Sequence, residues 1–168
     1  MVVRKKSVPK GIKAPFPKNG IEPMLATLEK EIPDDTKYLY ELKLDGYRIT
    51  SYKQKDSVDL KSRKLLDYTK YYTPVVEALK KINHDIVLDG EVVVLDNQGR
   101  HDFDALQGYT KKNEGLLAYY VFDILWLDGY SLMELPLKER KKMLQKILPV
   151  SNVLRYSDDF EDGLALFE

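Results

Sequence analysis

Residues 85–96 read DIVLDGEVVVLD, and this stretch decides the architecture. Its apolar residues run almost continuously, which is typical of a strand that is covered on both faces and lies in the middle of a sheet. Asp89 and Glu91 interrupt the run, and Gly90 between them indicates a bulge or a close backbone approach. Because a buried carboxylate is costly unless it is paired or metal-bound, the two acids predict either a contact to a metal ion or sugar hydroxyl, or a structural ion pair.

The flanking patterns predict an α+β domain, because strands dominate and only a few segments have helical periodicity. A second buried strand is predicted over LLAYYVFDILWLDG (116–129), where Phe122 is either a core residue or a platform on which a base stacks. The remaining pattern predicts, in chain order, a strand over 58–62, a helix from Thr73-Pro74 to about Ile82, an irregular stretch over 100–115, an amphipathic helix over 136–148 and the start of a helix capped by Ser157 or Asp158.

The stretch YLYELKLDGYRIT (38–50) predicts a hairpin, because Asp-Gly is a strong signal for a two-residue turn with positive φ. Such a turn at Asp45-Gly46 places Lys43 opposite Arg48, with Glu41 on the same face. Like charges directly opposite each other are destabilising unless an anion lies between them. The pattern therefore predicts either a phosphate-binding site, with Lys43 as a nucleophile whose ammonium form Arg48 disfavours, or a solvated hairpin whose side chains splay apart.

The charges are balanced overall but unevenly distributed. The 168 residues have a formal net charge of 0, which excludes a global field that attracts polyanions. Residues 1–20 have six basic and no acidic side chains, and with their prolines they predict a flexible arm ahead of a domain over 21–168. This arm is either a solvated tail or a phosphate contact. The same two interpretations apply to the basic side chains of the helix over 136–148, which are Lys138, Arg140, Lys141, Lys142 and Lys146.

Several classes of function are excluded. The absence of cysteine excludes a disulfide framework, a cysteine-ligated zinc site and a thiol nucleophile. The two common glycine-rich nucleotide loops, GxxxxGK[ST] and GxGxxG, do not occur. No apolar h-region follows the N-terminal charges, and no apolar run is long enough to cross a bilayer. We therefore expect a cytoplasmic protein with no membrane partner.

Together the motifs resemble those of ATP-dependent DNA ligases. ELKLDGYR (41–48) is similar to the KxDG nucleotidyltransferase motif, and SR (62–63), LDGEVVVLD (88–96) and YYVFDILWLDG (119–129) follow in the family's order. Three accessory stretches are similar to the ligase domain of bacterial end-joining ligases: EPMLAT (22–27), HDFDALQ (101–107) and LPLKERKKML (135–144). The resemblance covers about residues 20–168 and implies an ATP-grasp-like α+β nucleotidyltransferase fold, with the nucleotide in a cleft between mostly antiparallel sheets.

The resemblance also implies a mechanism. Lys43 would attack the α-phosphate of ATP and hold AMP, which would pass to the 5′-phosphate of nicked or broken double-stranded DNA before the 3′-hydroxyl displaces it. The cofactors implied are ATP and Mg²⁺. The resemblance assigns two residues to the adenine base: Glu41 would contact its amino edge and Phe122 would stack on it. Arg48 and Glu91 would bind the ribose, Glu91 would also bind the metal, and Arg63 would contact ribose or the nick phosphate. Asp45 and Gly46 would also bind the nucleotide.

The sequence departs from the family at its end. The fourth and fifth motifs and an OB-fold domain are expected after residue 168, so we expect a partial adenylation domain that is impaired alone, with further C-terminal ligase domains as possible partners. Two alternatives stay open. One is an RNA ligase or capping guanylyltransferase, which the accessory stretches disfavour. The other is a non-catalytic nucleic-acid-binding module of the same fold.

Overall fold

The computed structural model describes residues 11–30, 38–112, 114–161 and 163. Their order of elements is β1 (Ile12–Lys13), β2 (Tyr40–Glu41), β3 (Tyr47–Gln54), β4 (Ser57–Ser62), α1 (Thr73–Lys80), β5 (Ile86–Leu95), α2 (Phe103–Lys112), β6 (Leu116–Leu127), β7 (Tyr130–Ser131), α3 (Leu137–Ile147), β8 (Leu154–Tyr156) and β9 (Asp159–Phe160). The expected α+β class is confirmed, and no described helix is long and apolar enough to cross a membrane.

The described strands form one large sheet and one small one. The large sheet has the order β1-β7-β6-β5-β3-β4, with β8 parallel to β6 on the edge that β7 also uses. The other pairings of this sheet are antiparallel. The small sheet pairs β2 with β9. The prediction that residues 85–96 form a central strand is confirmed, because β5 lies between β3 and β6 and is buried along nearly its whole length.

The main core lies on one face of the large sheet, because β5 directs alternate residues to opposite faces. Ile86, Leu88, Val92 and Val94 belong to the main hydrophobic cluster, which also contains Leu79 of α1, Leu106 of α2 and Leu144 of α3. Each of these helices therefore buries its apolar stripe against the same face of the sheet. A different set of residues lines the opposite face of the sheet.

The hairpin predicted at Asp45-Gly46 is wrong. Strand β2 pairs with the distant β9, residues 42–45 are not in a strand, and β3 instead turns back into β4 through Lys55-Asp56. Gly46 does not adopt a positive φ. It is needed for space, since a Cβ there would lie 2.3 Å from the Val92 carbonyl oxygen and 3.0 Å from Glu91 Cγ. Lys43 and Arg48 are therefore not cross-strand partners.

Three further expectations are corrected. The irregular stretch predicted over 100–115 contains helix α2, whose first turn is capped by Asp102: its Oδ1 accepts a hydrogen bond from the Ala105 backbone at 2.8 Å. The segment after Ser157 begins with strand β9 rather than a helix. Residues 11–20 of the predicted flexible arm are packed: β1 pairs with β7, and the Phe16 ring lies edge-on to Trp126 at 5.1 Å. Residues 1–10 lie outside the described part of the chain.

Candidate active site

A polar patch lies in the middle of the second face of the large sheet. At one end of this face, residues of the 14–21 segment cover a cluster around Trp126, and at the other end Leu44 and Tyr120 pack on Val93. Between these apolar clusters, the side chains that the strands direct to the same side include Arg48, Asp89, Glu91 and Phe122. We call these four residues the polar patch.

A bulge in β6 places Phe122 there. Asp89 and Gly90 of β5 face Asp123 and Val121, so Phe122 is left without a partner in the ladder. Since Val121 and Ile124 both lie in the main core, the bulge puts Phe122 and Asp123 together on the patch side. Gly90 permits this close approach, because a Cβ there would lie 2.4 Å from the Tyr120 carbonyl oxygen.

Arg48 and Asp89 form the central ion pair of the patch. Asp89 is 3% exposed, and it accepts hydrogen bonds from Arg48 Nε at 3.1 Å and from a terminal guanidinium nitrogen at 2.7 Å. Burial raises the pKa of Asp89, and the Arg48 charge opposes that shift. The other terminal nitrogen donates to the Met24 carbonyl at 2.7 Å, and the guanidinium carbon lies 5.4 Å from the centre of the Phe122 ring. Arg48 is thus fixed between a buried carboxylate, a backbone carbonyl and an aromatic ring.

Glu91 is the patch carboxylate with the most perturbed ionisation. Burial raises its pKa to about 7, and the Asp89 and Asp45 charges push in the same direction. Arg48 and Lys43 oppose the shift. No hydrogen bond to the Glu91 side chain is found within the described residues, in contrast to Asp89. Glu91 is therefore the patch acid that is available to a cation or to a ligand hydroxyl.

Lys43 lies beside the patch on the segment that Gly46 holds against β5. Its ammonium group is close enough to lower the pKa of Glu91, and both Lys43 and Asp45 are exposed. Among the residues that the structure describes, Lys43 has no hydrogen bond or ion pair. An exposed, unpaired lysine next to a desolvated carboxylate and a bound arginine is a suitable arrangement for attack on a phosphate group.

Glu41 and Arg63 do not join the patch directly. Glu41 is held by Lys141 of α3, which donates a hydrogen bond to its Oε1. Burial raises the pKa of Glu41, and Lys141 opposes the shift. Arg63 is exposed in the loop after β4, and within the described residues no hydrogen bond or ion pair joins it to the other predicted site residues.

Three residues around the site were not predicted from the sequence. Asp123, next to Phe122, forms a bidentate ion pair with Arg140 of α3 at 2.7 and 2.8 Å. Lys141 is 2% exposed. The solvated or DNA-contacting face predicted for this helix is thus wrong for Arg140 and Lys141, which point toward the protein. A charge beside Phe122 in an otherwise apolar strand was the available signal, because such a charge needs a partner.

The described residues include no group of three or more His, Cys, Asp or Glu side chains that could hold a metal ion. Magnesium is usually held by one or two carboxylates together with substrate phosphates, so a single available carboxylate is compatible with it. Glu91 is the patch residue that fits such a site, because its carboxylate is partly desolvated and lacks a hydrogen bond within the described residues.

The chain resembles DNA ligases over most of its length. Residues 23–161 match the ATP dependent DNA ligase domain family. The chain is 39% identical to a DNA ligase of Methanococcus aeolicus over 142 residues, which are 76% of this chain and 25% of that protein. It is 38% identical to the multifunctional non-homologous end joining protein LigD of Pseudomonas aeruginosa over 82% of this chain and 16% of that protein. It is 34% identical to the prophage-derived DNA ligase-like protein LigB of Bacillus subtilis over 88% of this chain and 55% of that protein.

Solved structures agree with these sequence matches. The ligase domain of Mycobacterium tuberculosis LigD superposes with a TM-score of 0.61 at 29% identity, over 73% of this chain and 40% of that one. A mycobacterial DNA ligase D complexed with ATP and MES gives the same TM-score and identity, over 72% of this chain and 39% of that one.

The chain spans between a sixth and about half the length of the three sequence relatives named above. Since these include an archaeal ligase as well as LigD, the matches identify the broad family rather than one subtype: the chain belongs to the ATP-dependent DNA ligase domain family.

Proposed function

We propose that this domain forms a lysyl-adenylate at Lys43 as the first step of ATP-dependent DNA strand joining. One observation carries the proposal: the fold brings Arg48, Glu91 and Phe122 from three neighbouring strands to one patch, with exposed Lys43 beside it. The patch offers an aromatic face, a fixed guanidinium and a free carboxylate within one sheet face. These are the groups that a nucleoside triphosphate needs for its base, its ribose and the cation on its phosphates.

In the proposed step, Lys43 Nζ attacks the α-phosphorus of ATP as the neutral amine, and its proton passes to solvent at this exposed position. The N–P bond forms as the bond to the bridging oxygen breaks, and pyrophosphate leaves with that electron pair. Such an in-line displacement depends on positioning and charge neutralisation. Phe122 stacks on the base, and Arg48 binds the ribose from its fixed position. Asp45 and Gly46 hold the Lys43 segment at the nucleotide.

Glu91 would hold Mg²⁺ together with phosphate oxygens and would also contact the ribose. Magnesium would supply charge neutralisation on the phosphates during the displacement. The raised pKa of Glu91 supports this role, because a divalent cation stabilises the ionised carboxylate that burial disfavours. Arg63 is proposed to contact ribose or the nick phosphate through its exposed position.

The later steps are proposed from the family. AMP passes from Lys43 to the 5′-phosphate at a break in double-stranded DNA, and the 3′-hydroxyl then displaces AMP to seal it. The end-joining subtype and a cytoplasmic location belong to the same proposal. The similarity to both LigD proteins and an archaeal DNA ligase supports DNA rather than RNA as the strand that is joined.

The test is incubation with α-labelled ATP and magnesium, followed by a denaturing gel. We expect label on the wild-type chain and none on Lys43→Ala, with competition by excess ATP but not by GTP. The amount of label per chain measures whether these 168 residues alone are impaired. Absence of label together with ATP binding that is unchanged by Phe122→Ala would contradict the proposal. Sealing of an RNA nick in preference to a DNA nick would favour an RNA ligase.

A further inference from the structure

Lys141 is a buried lysine whose ammonium group has three oxygen partners. Its Nζ donates to Glu41 Oε1 and to the Ser157 carbonyl oxygen at 3.0 Å, and it lies 3.5 Å from Asp159 Oδ1. The Tyr156 ring covers the ammonium group at 4.8 Å from the ring centre. An ammonium group has three donors and no acceptor. Here two hydrogen bonds and the ion pair with Asp159 hold it. Lys141 is therefore fixed in one place.

The two carboxylates that Lys141 bridges would otherwise repel each other. Glu41 of β2 and Asp159 of β9 are directly opposite partners in the small sheet. Two carboxylates in this position are destabilising, and a cation between them removes the repulsion. A buried ion pair by itself is weak grounds for a stability role, since apolar residues of similar volume often replace one without loss. The placement of the carboxylates that Lys141 holds is therefore the more informative feature.

Glu41 keeps one oxygen available. Its side chain is 29% exposed, and the hydrogen bond to Lys141 uses only Oε1. The charge of Asp123, which follows Phe122, acts on Glu41 and raises its pKa. Glu41 thus lies within electrostatic range of Asp123, the residue next to Phe122. Lys43 is two residues further along the same segment as Glu41. The family resemblance assigns Glu41 to the adenine amino edge, and the oxygen that Lys141 leaves unbonded is the one available for that contact.

We propose that Lys141 is a positioning residue that orients Glu41 and thereby sets a preference for a purine with an amino group at C6. This inference rests on the proposed function, because it requires a nucleotide on Phe122. An ionised carboxylate only accepts hydrogen bonds, so it binds an exocyclic amine and repels a carbonyl at the same position. Lys141 prevents the carboxylate from rotating into solvent and keeps it ionised in a partly buried site. Lys141 itself does not touch the nucleotide.

Inosine triphosphate is the matched probe, because it replaces only the C6 amino group of ATP with a carbonyl. Equilibrium binding of both nucleotides is measured for wild type and for Lys141→Met, Lys141→Arg and Lys142→Met. We expect Lys141→Met to reduce the ATP-to-inosine preference by about tenfold or more, the effect of losing one well-oriented hydrogen bond to a charged group. Lys141→Arg restores part of the preference because it keeps the charge. Lys142→Met, which removes an exposed charge one residue away, leaves the preference unchanged.

A folded Lys141→Met variant with the wild-type preference would overturn the inference and leave Lys141 as a clamp on the small sheet. Circular dichroism checks folding. If Lys141→Met does not fold, the wild-type protein with ¹⁵N-labelled lysine decides: the Lys141 Nζ resonance is expected to shift with ATP but much less with inosine triphosphate at equal saturation. Equal shifts would contradict the inference. A wild-type chain that binds neither nucleotide contradicts the proposed function, whereas normal ATP binding with an unaffected preference contradicts only the role of Lys141.

Discussion

Replacing Asp89 by asparagine is expected to destabilise the domain through the Arg48 ion pair. Asp89 is 3% exposed and accepts two hydrogen bonds from Arg48, at 3.1 and 2.7 Å. Removing one partner of a buried pair costs about 3–5 kcal/mol, because the other charge stays buried without a counter-ion. The Arg48 side chain is 26% exposed, so water can solvate it in part. We therefore expect a loss of about 2–4 kcal/mol in the free energy of unfolding.

Urea unfolding followed by circular dichroism measures this loss, with a shift in midpoint and little change in slope. Asp59→Asn is the matched control, since Asp59 is exposed on β4 and its replacement is expected to change stability by less than about 0.5 kcal/mol. A double-mutant cycle with Arg48→Met isolates the pair and is expected to give strong coupling. Additive effects, or a loss in Asp89→Asn no larger than in Asp59→Asn, would show that the Arg48–Asp89 pair does not stabilise the domain.

Three further predictions concern the same face of the sheet. Gly46→Ala is expected to destabilise the fold by about 1–3 kcal/mol, because the new Cβ would lie 2.3 Å from the Val92 carbonyl oxygen. Gly108→Ala in α2 is the control: its Cβ would contact no atom within 4 Å, so it should be neutral or stabilising in the same unfolding assay. The pKa of Glu91 is raised from 4.5 to about 7, so its contribution to the free energy of unfolding should fall as pH rises through that window and level off above it. Glu91→Gln should remove this pH dependence. An unchanged pH profile in the variant would contradict the prediction. Phe122→Ala is expected to weaken ATP binding by about tenfold or more in a calorimetric titration, since stacking of one base contributes about 1–3 kcal/mol, and unchanged affinity would show that the ring is only a packing residue.

The central strands of the large sheet were predictable because they have local signals, whereas β1, β7 and β8 were not predicted. Strand β5 has a continuous apolar run and β6 is long, and both features are typical of central strands rather than edge strands. Both strands are found where the patterns predict them. The pairing of β2 was not predictable in this way. Its partner β9 lies more than a hundred residues away, whereas Asp45-Gly46 offered a strong local turn signal. The glycine that suggested a turn is instead required by the close approach to β5.

The patch was predictable in its residues but not in its contacts. Asp89 and Glu91 were recognised as carboxylates that needed partners. Arg48 nevertheless pairs with Asp89, although the cross-strand register places it directly opposite Glu91, so this contact depends on side-chain placement. The presentation of Phe122 depends on a bulge in β6; Gly90 indicated a bulge or close approach, but not which residue of β6 it would direct to the patch. Lys141 looked like one more basic residue on an amphipathic helix. Only the placement of Glu41 opposite Asp159 in the small sheet explains why this lysine is buried.

The most direct test of the proposed function is the site of adenylation. Purified chain incubated with ATP and magnesium is analysed by intact mass spectrometry, and the modified peptide is then mapped. We predict a single adenylyl group on Lys43 and none on Lys43→Arg, which keeps the charge but cannot act as the nucleophile. An adenylyl group on another residue, such as Lys141, or the same adduct in Lys43→Arg, would contradict the assignment of Lys43 as the nucleophile.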